Sequence, residues 1–304
     1  MIVSSSGTVV AAATAVVIGL GALAAPAALA APAPVSTGAP GSPVVTGWAP
    51  AARAAVHPGV VTVTDGGGSC TANFVFTRRG RVLLGQAAHC AGTGGATDTD
   101  GCTSGTEPVG TRVTIRGSDG RDRTGTMVYS SWVAMQDDGE RDPAACLYND
   151  FALVELAAAD SADVNPSVPF FGGPKAVHEG DLPAGATVLT YGNSAARRGV
   201  AALRPRAGTV ASPVGDGFGY DIDTTTPGVP GDSGSGYLSA RGEAVGLLST
   251  LNLEPLPVTN GTTDLARALG YAADHGFDGV ELEPGTEPFT PNPAALRTGR
   301  VARH

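Results

Sequence analysis

The chain has 304 residues, 42% of them hydrophobic, enough apolar material for one large domain or two half-sized ones. Charged residues make up only 15%, below the roughly 25% usual for soluble domains, and the net charge of −9 excludes nucleic-acid binding through a basic face. The 44 glycines and 23 prolines point to many turns rather than long helices.

The first charged residue is Arg53, and Val9 to Ala30 is an almost unbroken run of Ala, Val, Leu and Gly ending in Ala28-Leu29-Ala30. An apolar stretch followed by an A-x-A-like site reads as a secretory signal peptide over residues 1–30, which predicts a secreted protein. The run lacks a basic start and is long enough to span a bilayer, so an uncleaved anchor is the alternative. With the signal removed, no stable membrane association is expected. Residues 31–55, rich in Ala, Pro, Gly and Ser, read as a linker or short pro-segment.

From Val60 the chain becomes a series of short β-like runs broken by Gly, Asp and Pro. Examples are Val60–Thr64, Asn73–Thr77, Arg112–Ile115, Thr187–Tyr191 and Ala244–Leu248. Such spacing predicts an all-β sandwich or barrel, with no helix-length segment between the strands. Cys70, Cys90, Cys102 and Cys146 all lie in the first half of the exported chain. An even number in an exported protein predicts two disulfides, in one of three connectivities. Zinc is the competing reading, without a C-x-x-C pair or paired histidines to support it. The Asp98-Thr99-Asp100-Gly101 stretch offers oxygens to calcium but lacks EF-hand spacing, and reads as a solvated turn. No metal or cofactor is expected. One amphipathic helix is predicted late, over 263–275, capped by Thr263 or Asp264 and stopped by Gly276. Residues 279–304 read as an irregular tail.

Three motifs carry chemistry. In Gly231-Asp232-Ser233-Gly234-Ser235-Gly236 a serine follows a glycine that lets the backbone turn, so that the Gly231 and Ser233 N–H groups can share one oxyanion hole. Gln86-Ala87-Ala88-His89-Cys90 supplies a base whose ordinary pKa lies near neutrality, with small neighbours that leave the ring room. Asn149-Asp150-Phe151-Ala152-Leu153 opens an apolar run with an acid, costly to bury unless its charge is satisfied, as by orienting a histidine. A polar turn, a structural histidine and an exposed aspartate are the respective bland readings.

Together the three resemble the chymotrypsin-like (trypsin-fold) serine peptidases, in that family's order His, Asp, Ser. Asp150 stands 61 positions after His89, and Ser233 stands 83 positions after Asp150. The resemblance implies two packed six-stranded antiparallel β-barrels, about 56–157 and 175–262, with a C-terminal α-helix. The peptidase domain would span 56–278. It implies a monomeric serine endopeptidase acting on protein or peptide substrates, with His89, Asp150 and Ser233 as catalytic triad. It further implies Cys70–Cys90 and Cys102–Cys146 as the disulfides and Ser249 as a hydrogen-bond donor to Asp150. Asp232 would steady the oxyanion loop, paired with an internal Arg rather than a freed N-terminus. The specificity pocket would have Pro227 at its base, Thr250 and Leu251 on its wall, and Gly261 to Thr263 near its rim. Pro227 in place of an acid disfavours Arg or Lys at the cleaved bond. Leu248 stands where glutamate-specific members carry a histidine, which leaves apolar or small side chains as the expectation. The alternative from another class is a non-catalytic binding module that retains the fold.

Overall fold

A computed structural model describes residues 47–224, 226–252 and 259–291. The expected signal peptide, most of the expected linker and the last part of the expected tail lie outside the described residues. The first sheet contains β1 (Val61–Thr64), β2 (Ser69–Thr71), β3 (Val75–Arg78), β4 (Arg81–Gln86), β5 (Arg112–Arg116), β6 (Asp122–Ser130) and β7 (Ala152–Leu156). They are antiparallel neighbours in the order β3-β4-β7-β6-β5-β1-β2. β2 and β3 stand at opposite ends of that order, yet they are one segment bent at Ala72 to Phe74. The Ala72 N–H bonds the Val60 carbonyl on one side, and the Asn73 N–H bonds the Gly85 carbonyl on the other, both at 2.9 Å. The bent segment thereby closes the sheet on itself.

The second sheet is a closed six-stranded barrel. Its strands are β8 (Thr187–Tyr191), β9 (Pro205–Val214), β10 (Gly219–Thr224), β11 (Gly236–Ser239), β12 (Ala244–Asn252) and β13 (Thr259–Asp264), in the order β10-β13-β12-β11-β8-β9. Two antiparallel barrels and a late helix make this the chymotrypsin-like architecture.

Strand periodicity explains why several strands read as near-continuous apolar runs. Successive side chains point to opposite faces. In β4, Val82 and Leu84 fill the first barrel, while Leu83 points outward. In β7, Ala152, Val154 and Leu156 point inward, and Leu153 outward with Phe151 before it. The outward set meets Leu189, Leu238 and Leu247 of the second barrel, so one apolar cluster binds the two barrels together. Each fully buried Leu or Phe there contributes roughly 1.5–3 kcal/mol.

Three expectations are corrected. Two helices interrupt the strands: α1 (Ser131–Asp138) and α2 (Pro143–Tyr148). α1 ends at Gly139 with φ +65°, and α2 begins with Asp142 capping the Ala144 N–H and Pro143 in the first turn. Residues 47–55 do not behave as a linker, because Ala49, Ala55 and Val56 bond through their N–H groups to Val164 and Asp163 and Ala54 and Ala55 are buried. The third concerns the tail. The late helix, α3 (Leu265–Asp274), is capped by the Asp264 carboxylate on the Arg267 N–H. After it, β14 (Glu281–Leu282) pairs with β3, and the Gly285 and Thr290 amides bond Pro174 and Phe171. Backbone bonding of this kind needs no side-chain pattern, so an irregular composition did not reveal it.

Candidate active site

β4 pairs with β7 in a register that sets Gln86 opposite Ala152. Residues just after β4 and just before β7 therefore emerge at the same end of the barrel, which brings His89 and Asp150 together. The Asp150 carboxylate is almost fully buried and both of its oxygens accept hydrogen bonds. Oδ1 takes the His89 backbone N–H at 2.8 Å, and Oδ2 lies 2.6 Å from both His89 Nδ1 and the donating Ser249 hydroxyl. Burial alone would raise the Asp150 pKa, but the His89 charge and these bonds outweigh it and hold it below the usual carboxylate value. For His89, burial alone would lower the pKa, yet the Asp150 charge and hydrogen bond carry it above 6.5. With Nδ1 committed to Asp150, Nε2 is the nitrogen left to act.

Ser233 reaches the same cleft from the second barrel. The Gly234 N–H bonds the Leu248 carbonyl at 2.7 Å, and the Leu248 N–H bonds the Ser235 carbonyl at 2.9 Å. The serine loop is thus zipped to the strand that carries Ser249. Thr71 of β2 clamps the loop from the other barrel: its N–H bonds the Ser233 carbonyl at 2.8 Å and its hydroxyl donates to the Gly231 carbonyl at 2.7 Å. Gly234, at φ +83°, packs so tightly that a Cβ would lie 2.7 Å from the Thr71 carbonyl and 2.9 Å from the Ala87 N–H. Only glycine lets the serine loop rest directly on the histidine segment. His89, Asp150 and Ser233 all line a cleft of about 980 Å³. No hydrogen bond joins His89 to Ser233, and such bonds are often long in free enzymes and tighten on substrate.

Peptide planarity sets the direction of two amides. The Pro230 carbonyl accepts from the Ser194 hydroxyl at 2.6 Å, so the Gly231 N–H points the opposite way. The Asp232 carbonyl accepts from the Ser235 N–H at 3.0 Å, which turns the Ser233 N–H away in the same manner. Neither amide donates to another group among the described residues, and both residues line the cleft. Gly231 sits at φ +94°, a backbone region that favours glycine. Such a pair of unspent donors can receive a negative oxygen.

Asp232 is wholly buried beneath this loop. Its carboxylate accepts from Arg197 Nε at 3.0 Å, from the Ser194 N–H at 3.0 Å and from the Val229 N–H at 3.1 Å. Burial would raise its pKa, but the Arg206 charge and the Arg197 bonds hold it below the usual range. The internal arginine is Arg197, with Arg206 3.5 Å away. Asp232→Asn should therefore destabilise the fold by about 3–5 kcal/mol, because two guanidinium groups lose their counter-charge. In a domain of this size that lowers Tm by about 10 °C. A melting curve matching the wild type would refute the anchoring role.

The specificity residues are only partly assembled. Thr250 and Leu251 line the cleft, whereas Pro227 does not. The Pro227 carbonyl is instead held by Arg197 Nη2 at 3.0 Å, and Gly228 takes its place in the lining. Gly261 to Thr263 are not at the rim: all three are buried, and the Thr263 hydroxyl accepts the Asp150 N–H at 3.2 Å. Asn260, unmarked in the sequence, spans the pocket walls by accepting the Gly228 N–H at 2.7 Å and donating to the Thr250 carbonyl at 3.2 Å. Trp132 of α1 was also missed, and its ring centre lies 6.5 Å from that of His89.

Cys70 is bonded to Cys90 and Cys102 to Cys146, the pairing the resemblance implied. Their sulfurs are thus not thiolates offered to a metal. Asp98 and Asp100 spend carboxylate oxygens on the Gly95 and Cys102 N–H groups, as turn-forming aspartates do.

No family model matches the sequence, and no curated protein sequence matches it. Among solved structures, the chain is similar to Protease A of Thermobifida fusca, with TM-score 0.47 and 19% identity, covering 76% of this chain and 100% of that one. It is similar to Nocardiopsis protease, with TM-score 0.44 and 18% identity, covering 75% and 100%. A third is Cellulomonas bogoriensis chymotrypsin, with TM-score 0.44 and 18% identity, covering 75% and 98%.

Proposed function

We propose that this chain is a secreted serine endopeptidase that hydrolyses peptide bonds through an acyl-enzyme. Ser233 attacks the carbonyl while His89 Nε2 takes its proton. The Gly231 and Ser233 amides hold the oxyanion, and His89 then returns the proton to the leaving amine. Water repeats the sequence on the ester. Asp150 keeps the His89 proton on Nδ1, and Ser249 holds Asp150. The observation that carries the reading is the buried Asp150 carboxylate bonded at 2.6 Å to a cleft histidine whose other nitrogen has no partner among the described residues. A solvated turn or a structural histidine would not need a buried charge so fully dressed. Two disulfides suit an oxidising compartment, and export would remove residues 1–30. A monomer acting on protein or peptide substrates completes the proposal.

A fluorophosphonate probe tests it on the exported protein. Mass spectrometry should find one adduct, on Ser233, and a chain beginning at Ala31. The labelling rate should rise with pH through a pKa above 6.5, because imidazolium cannot accept the Ser233 proton. An unlabelled protein would favour a binding module that keeps only the fold, and a chain retaining residues 9–30 would make it a tethered enzyme.

A further inference from the structure

Arg206, second residue of the second barrel's β9, has only 3% of its surface exposed, and among the described residues Nε, Nη1 and Nη2 find no hydrogen-bond acceptor. Leaving a guanidinium buried and unsatisfied is costly. Its counter-charge among the described residues, Asp232 Oδ2, lies 3.5 Å from Nη2. That carboxylate is already saturated by Arg197, the Ser194 N–H and the Val229 N–H. Among the described residues, two guanidinium groups against one carboxylate leave the cluster one positive charge in excess. The Tyr237 hydroxyl beside it is likewise buried and without a partner among the described residues.

The direction of that excess is set by Gly228. This residue lines the cleft that holds Ser233. A Cβ on it would clash with Leu248 Cδ1 and lie 3.3 Å from Arg206 Nη1 and 3.2 Å from Asn260 Nδ2. The glycine therefore leaves the guanidinium directly behind the cleft wall, with the Leu248 side chain against the same spot. Pro227 contributes no charge there, so an absent acid at that position says nothing against a present base from β9.

We propose that the cleft selects an acidic side chain, Glu or Asp, in the residue whose carbonyl Ser233 attacks, and that Arg206 sets this preference. The proposal rests on the endopeptidase reading above. A carboxylate offers the paired acceptors that a guanidinium fork matches, and it neutralises the excess charge in a site where water screens little. The apolar or small preference expected from the sequence would leave Arg206 unsatisfied in the complex as well.

Peptides differing only before the scissile bond test this, with Glu, Asp, Gln and Leu at that position and kcat/KM as the readout near pH 7. The wild type should prefer Glu to its neutral isostere Gln by about tenfold or more, since a site with unpaired donors discriminates against substrates that cannot meet them. Arg206→Met should bring the Glu-to-Gln ratio close to one, a ratio taken within one variant so that any overall rate loss from disturbing Asp232 cancels. Leu248→Ala, which opens the wall toward the guanidinium, should raise the ratio, and it decides the matter alongside the wild type if Arg206→Met does not fold. A labelled wild type that cuts Gln or Leu peptides as well as Glu overturns the proposal and leaves the endopeptidase reading intact. So does a Glu preference that survives in a folded Arg206→Met. A wild type that neither labels nor cleaves overturns both.

Discussion

Ser233→Ala should lower kcat by about 10⁶ while leaving Tm close to that of the wild type. The rate loss follows from chemistry: the alanine has no oxygen to form the acyl-enzyme, and His89 is left with no nucleophile to deprotonate. What remains is the oxyanion donors and substrate binding, worth about 10³–10⁴ over water. The unchanged stability follows from contacts. The Ser233 hydroxyl makes no hydrogen bond among the described residues, whereas its backbone carbonyl, held by Thr71, is unaffected by the substitution. Hydrolysis of a peptide ester and a melting curve check the two halves together. Near-normal turnover would sink the triad, and a large loss of Tm would recast Ser233 as a structural residue.

The difference between backbone and side-chain information also explains what the sequence disclosed. Strands between turn residues were legible because a two-residue period and Gly or Pro breaks are local signals. His89, Asp150 and Ser233 were legible because each sits in a short motif whose chemistry is local too. Thr71, Ser194 and Asn260 were not. Thr71 reaches Gly231 across 160 positions, and nothing near residue 71 announces a clamp. Arg206 was silent for a related reason: an arginine next to Pro205 and close to Arg204 reads as surface, and only the closed second barrel turns it inward. α1 and α2 were missed despite an Asp142-Pro143 start signal and a Gly139 stop, because each is short and carries β-branched or aromatic residues that blend with the strands around it.

Asp150→Asn should lower kcat by about 10⁴, and the geometry says why neither orientation of the amide can substitute. If the Asn oxygen takes the place of Oδ1, it still accepts the His89 backbone N–H, but its NH₂ faces His89 Nδ1. Nδ1 must then accept, the ring proton moves to Nε2, and the nitrogen that has to serve Ser233 can no longer take a proton. With the amide flipped, the oxygen meets Nδ1 correctly, but the NH₂ opposes the His89 backbone N–H, donor against donor. The Ser249 hydroxyl can rotate to accept from the amide, which favours the first arrangement and fixes the wrong tautomer. Losing the carboxylate also removes the charge that raises the His89 pKa against its burial, so the acid limb of the pH–rate profile should move to lower pH. A purely structural aspartate would give a lower Tm without that displacement. A variant within tenfold of wild-type kcat, or one whose limb stays in place, would remove Asp150 from the mechanism and leave His89 and Ser233 as a dyad.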